Sequence, residues 1–76
     1  GGIEMAGYLM VRDTDVWENK DNNKKYNPVK VESGYEDYII LREIESGEDE
    51  KVRIGAFRND YHRVELGKPF KKQFFV

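Results

Sequence analysis

The sequence has no cysteine and a single histidine, His62. Without thiols there is no disulfide staple, no cysteine-based zinc site and no thiol nucleophile. Such a chain suits a reducing compartment, and a cytoplasmic location is the expectation. No apolar run reaches the roughly 18 residues that a membrane-spanning helix needs. The start has neither the basic region nor the apolar region of a signal peptide. Glycines do not cluster into a phosphate-binding loop. Catalysis and cofactor binding are therefore not expected. A lone histidine at a strand start is more often structural than catalytic.

A chain of 76 residues makes one domain with a thin core. Gly1-Gly2-Ile3-Glu4 ahead of Met5 reads as a cloning remnant, which leaves residues 5–76 as the domain. Net charge is −2, unevenly spread. Residues 1–50 carry 13 acids against 6 bases (−7), and residues 51–76 carry 2 against 7 (+5). Two clusters of acids are metal candidates by composition alone: Asp13, Asp15 and Glu18, and the hairpin tip Glu45, Glu48, Asp49 and Glu50. Neither has the glycine and terminal glutamate spacing of a calcium loop, so no metal is expected.

The stretch from Glu36 to Leu66 organises the chain as a meander of three strands. Tyr38-Ile39-Ile40-Leu41 is a short apolar run that suits a strand covered on both faces. Glu45 to Glu50 is a polar turn around Gly47. Lys51 to Ala56 alternates, with Val52, Ile54 and Ala56 inward. His62 to Leu66 alternates again, with Val64 and Leu66 inward and Arg63 and Glu65 outward. Ahead of the meander, Ala6 to Arg12 is a predicted first strand, and Val16 to Glu18 is either a short strand or an extension of the first. Asn19 to Lys25 has no apolar residue and is a solvated loop. Pro28 predicts that Tyr26 to Val31 lies at a sheet edge or strand start. After the meander, Phe70, Lys72, Phe74 and Val76 share one face of a last strand, predicted to pair with the first and close a barrel; the alternative is an exposed aromatic tail that a partner would cover.

Gly55-Ala56-Phe57-Arg58-Asn59-Asp60-Tyr61, followed by Val64-Glu65-Leu66, resembles the end of an SH3-type barrel. In that family a Gly-x-Phe strand runs into a one-turn helix bearing a tyrosine, and a short strand follows. The resemblance covers about twelve residues. It implies an all-β, five- to six-stranded antiparallel SH3-like small barrel. Arg58 stands where the family usually has proline, and the family's tryptophan pair is missing, so a groove for proline-rich peptides is not implied.

The residue types favour binding over chemistry. Trp17, Tyr26, Tyr35 and Tyr61 fall in or beside predicted loops and are the candidate contacts for a partner protein. Small bacterial and bacteriophage accessory proteins have this size and style. The alternative is a nucleic-acid module in which Arg53, Arg58, Arg63, Lys68, Lys71 and Lys72 form a basic strip, with Phe57, Tyr61 and Phe70 stacking bases. Against it stand an isoelectric point near 5.4 and the acidic hairpin. Acids interleaved with the strip would favour the protein partner. A monomer or a homodimer is expected, the latter if the aromatic last strand leaves an edge unpaired.

Overall fold

The computed structural model describes residues 8–76; the remnant, the Met5 start and the Ala6-Gly7 end of the predicted first strand lie outside them. Among the described residues there are seven strands and one short helix: β1 (Met10–Arg12), β2 (Val16–Asn19), β3 (Lys25–Glu32), β4 (Tyr38–Glu43), β5 (Asp49–Arg53), α1 (Ile54–Asp60), β6 (Tyr61–Glu65) and β7 (Gln73–Phe75). Five strands form one antiparallel sheet in the order β5-β4-β3-β2-β6. The outer two form a separate ribbon, β1-β7. The last strand does pair with the first, but among the described residues the two sheets do not join and the expected closed barrel is not formed.

Turn chemistry sets the meander. Asn19 Oδ1 accepts the backbone N–H groups of Asp21 and Asn22, and Asn22 Oδ1 accepts that of Lys24. These side chains stand in for backbone partners and bend β2 back onto β3, with Asn23 at φ 63°. Gly47, at φ 75°, does the same between β4 and β5. The strand β5 starts two residues earlier than Lys51 and ends at Arg53.

Three other expectations change. Pro28 lies in the middle strand of the sheet, not at its edge. It is tolerated because the β3-β4 register slips between Pro28 and Lys30, and because β2 pairs only with Lys25 and Tyr26 of β3. The run Tyr38 to Leu41 is not covered evenly: Ile39 and Leu41 are buried while Tyr38 and Ile40 are half-buried. Residues 54–56, expected in a strand, open α1 instead. Ile54 and Phe57 are three apart on one helical face, with Tyr61 four further on just past the helix end. A seven-residue helix is marginal alone. It is held by Phe57, which is fully buried between Trp17 (centroids 4.5 Å apart) and Tyr61 (5.7 Å).

The core is Val11, Trp17, Tyr26, Ile39, Leu41, Phe57, Tyr61 and Val76. Leu9, Val31, Val52, Ile54 and Phe74 flank it. One glycine is fixed by packing. A Cβ on Gly67 would fall 2.1 Å from Thr14 Oγ1 and 2.5 Å from the Asp15 backbone nitrogen. Gly67→Ala should therefore destabilise the domain by about 1–3 kcal/mol, as overpacking does. The check is a urea melt, with a lower midpoint and an unchanged slope expected.

Candidate interaction surface

The last strand of the large sheet, β6, carries the largest departure from the sequence pattern. Alternation is present with the opposite phase: Tyr61 is buried and Arg63 half-buried, while His62, Val64 and Glu65 face solvent. Val64 and Leu66 are 43% and 45% exposed. The reason is Arg63. Its cross-strand partner is Trp17, and its guanidinium lies 4.9 Å from the centre of that ring. Arg63 Nε sits 3.4 Å from Asp15 Oδ2.

Asp15 is fully buried. Its Oδ2 accepts the Arg12 backbone N–H (2.9 Å) and the Trp17 indole N–H (3.2 Å). Its Oδ1 accepts the Gly67 N–H (2.7 Å). Its backbone carbonyl accepts the Asn27 side-chain amide (2.8 Å). Arg63 Nη2 in turn donates to the Met10 carbonyl. In the β1-β7 ribbon, Leu9 and Val76 exchange both backbone hydrogen bonds, and Asp13 N–H donates to the Lys72 carbonyl. By alternation Met10 and Arg12 point their backbone groups away from β7. Of those groups, Arg63 takes the Met10 carbonyl, and Asp15 takes the Arg12 N–H with its carboxylate and the Arg12 carbonyl with its backbone N–H. An ion pair thus occupies the place where a closed barrel would have a neighbouring strand.

The aromatic candidates separate. Trp17, Tyr26 and Tyr61 are core residues, 4%, 1% and 7% exposed, whereas Tyr35 is fully exposed. Tyr26 and Tyr61 meet edge to face at 5.6 Å. Burial, the Glu50 carboxylate that accepts the Tyr26 hydroxyl and the neighbouring Tyr61 push the Tyr26 phenol up to about 12. Burial pushes Tyr61 up as well. The exposed aromatics that the loop criterion missed are Tyr8, Phe70 and Phe75. Phase in the last strand is the signal for Phe75: Phe74 faces Val11 and the core, so Phe75 must face out.

The basic candidates scatter. Arg53 Nε lies 3.1 Å from Glu36 Oε1, and Lys51 Nζ 3.4 Å from Glu32 Oε1. Arg58 donates to the Val76 carbonyl (2.9 Å), and Arg63 belongs to the buried pair. Phe57 and Tyr61 are inside and cannot stack bases. Lys68, Lys71 and Lys72 are exposed on the segment that carries Phe70. Under that ring lies the Arg12 guanidinium, 4.3 Å from its centroid and bonded to the Gly67 carbonyl. A shallow hollow of 340 Å³ opens there, walled by Asp13, Thr14, Pro69, Phe70 and Lys71.

The acid clusters are also dispersed into other work. Glu18 lies 3.0 Å from His62 Nε2, Asp49 pairs with Arg42 at 2.7 Å, and Asp13 accepts the Lys71 backbone N–H. Among the described residues no three histidine, aspartate or glutamate side chains gather to hold a metal. No helix there is long and apolar enough to cross a membrane. Comparison of the chain with known protein families, with curated proteins and with solved structures finds no match.

Two predictions follow from this geometry. Asp15→Ala and Arg63→Ala should each destabilise by about 3–5 kcal/mol, since each strands a partner charge. The double variant should lose clearly less than the sum, and a double-mutant cycle by urea denaturation reads the difference. Additive losses would refute the coupling. At high pH the raised Tyr26 sets a second test. Below pH 10 both folded and unfolded chains keep this phenol neutral; between 10 and about 12 the unfolded chain ionises first, so stability falls as pH rises. Tyr26→Phe should flatten that fall, measured as urea midpoints across the window. An equally steep fall in the variant would rule Tyr26 out.

Proposed function

We propose that this chain is an SH3-like interaction module that works by holding another protein, without catalysis of its own. The fold supports the SH3-like reading through its antiparallel meander and through the short helix that precedes the final strand of the large sheet. The observation that carries the choice of partner is the neutralisation of the basic strip. Arg53 and Lys51 are tied to Glu36 and Glu32 on the same surface, and Arg63 is turned inward. A phosphate backbone meets its affinity through free cations, and of that strip Lys68, Lys71 and Lys72 remain exposed on one short segment.

What the surface does offer is the β1-β7 ribbon. Phe75 is 59% exposed and Tyr8 84% exposed, and the far edge of β7 pairs with no strand among the described residues. Extended partners add to such edges through main-chain hydrogen bonds, with aromatic neighbours supplying apolar contact. An amide NMR titration with short single- and double-stranded DNA tests the choice. No shifts at low salt are expected. Shifts centred on Lys68 to Lys72 that fade as salt rises would replace the protein partner with nucleic acid. Partners cross-linked to the wild type should be lost with Phe75→Ser.

A further inference from the structure

We infer that the free edge of β7 pairs with β7 of a second copy of this chain, in antiparallel register about Phe74. The inference rests on the protein-binding reading above and names the partner. Lys72 and Val76 turn their backbone groups toward β1, as the bonds from Asp13 to Lys72 and between Leu9 and Val76 show. Alternation then turns the N–H and C=O groups of Gln73 and Phe75 toward the open side. Two such residues separated by one make a self-complementary edge. With Phe74 opposite its own copy, Gln73 faces Phe75 of the second chain and Phe75 faces Gln73. Each pair can exchange both of its backbone hydrogen bonds, which is the isologous contact that a two-fold axis requires.

Side chains agree with the register. The half-buried Phe74 meets Phe74 of the second copy as a close cross-strand aromatic pair. On the outer face the two Phe75 rings come within diagonal reach, next to Met10, which pairs with Phe75 in the ribbon. Lys72 falls opposite Val76 and not opposite a lysine, so no like charges face each other. The edge strands of the large sheet behave differently. β5 carries Asp49, Glu50, Lys51 and Arg53, and β6 carries Arg63 and Glu65, the charges that commonly guard an edge from pairing. Gln73, Phe74 and Phe75 carry no such guard.

The experiment is sedimentation equilibrium of the full chain from micromolar to millimolar concentration. The wild type should rise from 9.0 kDa toward twice that mass. Gln73→Pro removes an N–H that faces away from β1, so the ribbon keeps its own hydrogen bonds while the edge loses a donor. It should stay monomeric throughout, with an unchanged circular dichroism spectrum. Phe75→Ser, which leaves the backbone untouched, should weaken association at least tenfold and covers the case in which the proline variant does not fold. A wild type that stays at 9.0 kDa, or variants that associate as it does, would overturn the dimer. A monomeric wild type whose cross-linked partners are still lost with Phe75→Ser would end the dimer alone and leave the protein-binding reading in place.

Discussion

The buried contact between Asp15 and Arg63 is the constraint on which the arrangement of this domain depends. Taking a carboxylate out of water is unfavourable unless its oxygens are supplied with donors. Asp15 has them from three separate parts of the chain: the Arg12 backbone, the Trp17 indole and the Gly67 backbone. Arg63 adds charge and reaches on to the Met10 carbonyl. The pair therefore ties β1, β2, β6 and the segment after β6 to a single point. It also explains why the molecule has two sheets. Where β1 would need another strand, the Arg12 N–H and the Met10 carbonyl are already taken by side chains, and the Arg12 carbonyl by the Asp15 backbone N–H. Gly67 has no side chain for the related reason that Thr14 and Asp15 crowd against it.

Around that point the core is built mainly from rings. Trp17, Phe57, Tyr61 and Tyr26 form a chain of contacts from β2 through α1 and β6 to β3. The rings bury large apolar area in a domain too small for many aliphatic residues. They also hold a helix too short to persist by itself. The Tyr26 hydroxyl keeps a partner in Glu50, so this large side chain closes the core toward β5 without stranding a polar atom.

Much of this was legible in the residues. Alternation located most of the strands, and the polar runs at Asn19–Lys25 and Glu45–Glu50 located the turns, although Asp49 and Glu50 already belong to β5. The pairing of last strand with first followed from the Phe70–Val76 pattern. What alternation could not supply was phase. Val64 and Leu66 looked like the inward set because they are apolar, yet Arg63 and Tyr61 point in. The deciding fact is a carboxylate nearly fifty residues earlier, which no local pattern contains. Sequence position misled in the same way for Trp17, Tyr26 and Tyr61. Each borders a polar turn, but a strand end beside a turn can still face the core. Pro28 was misplaced because the register slip that accommodates it belongs to the pairing with β4 and not to the strand's own residues.

The ribbon has one more consequence. Leu9 and Val76 exchange two backbone hydrogen bonds, so the described chain enters and leaves the domain side by side. A unit with that geometry can be set into a surface turn of a larger polypeptide without stretching its host, because the two junctions need only the separation of neighbouring strands, about 5 Å. It also means that bulk placed before Leu9 and bulk placed after Val76 crowd the same corner of the molecule, and both would lie beside Phe75.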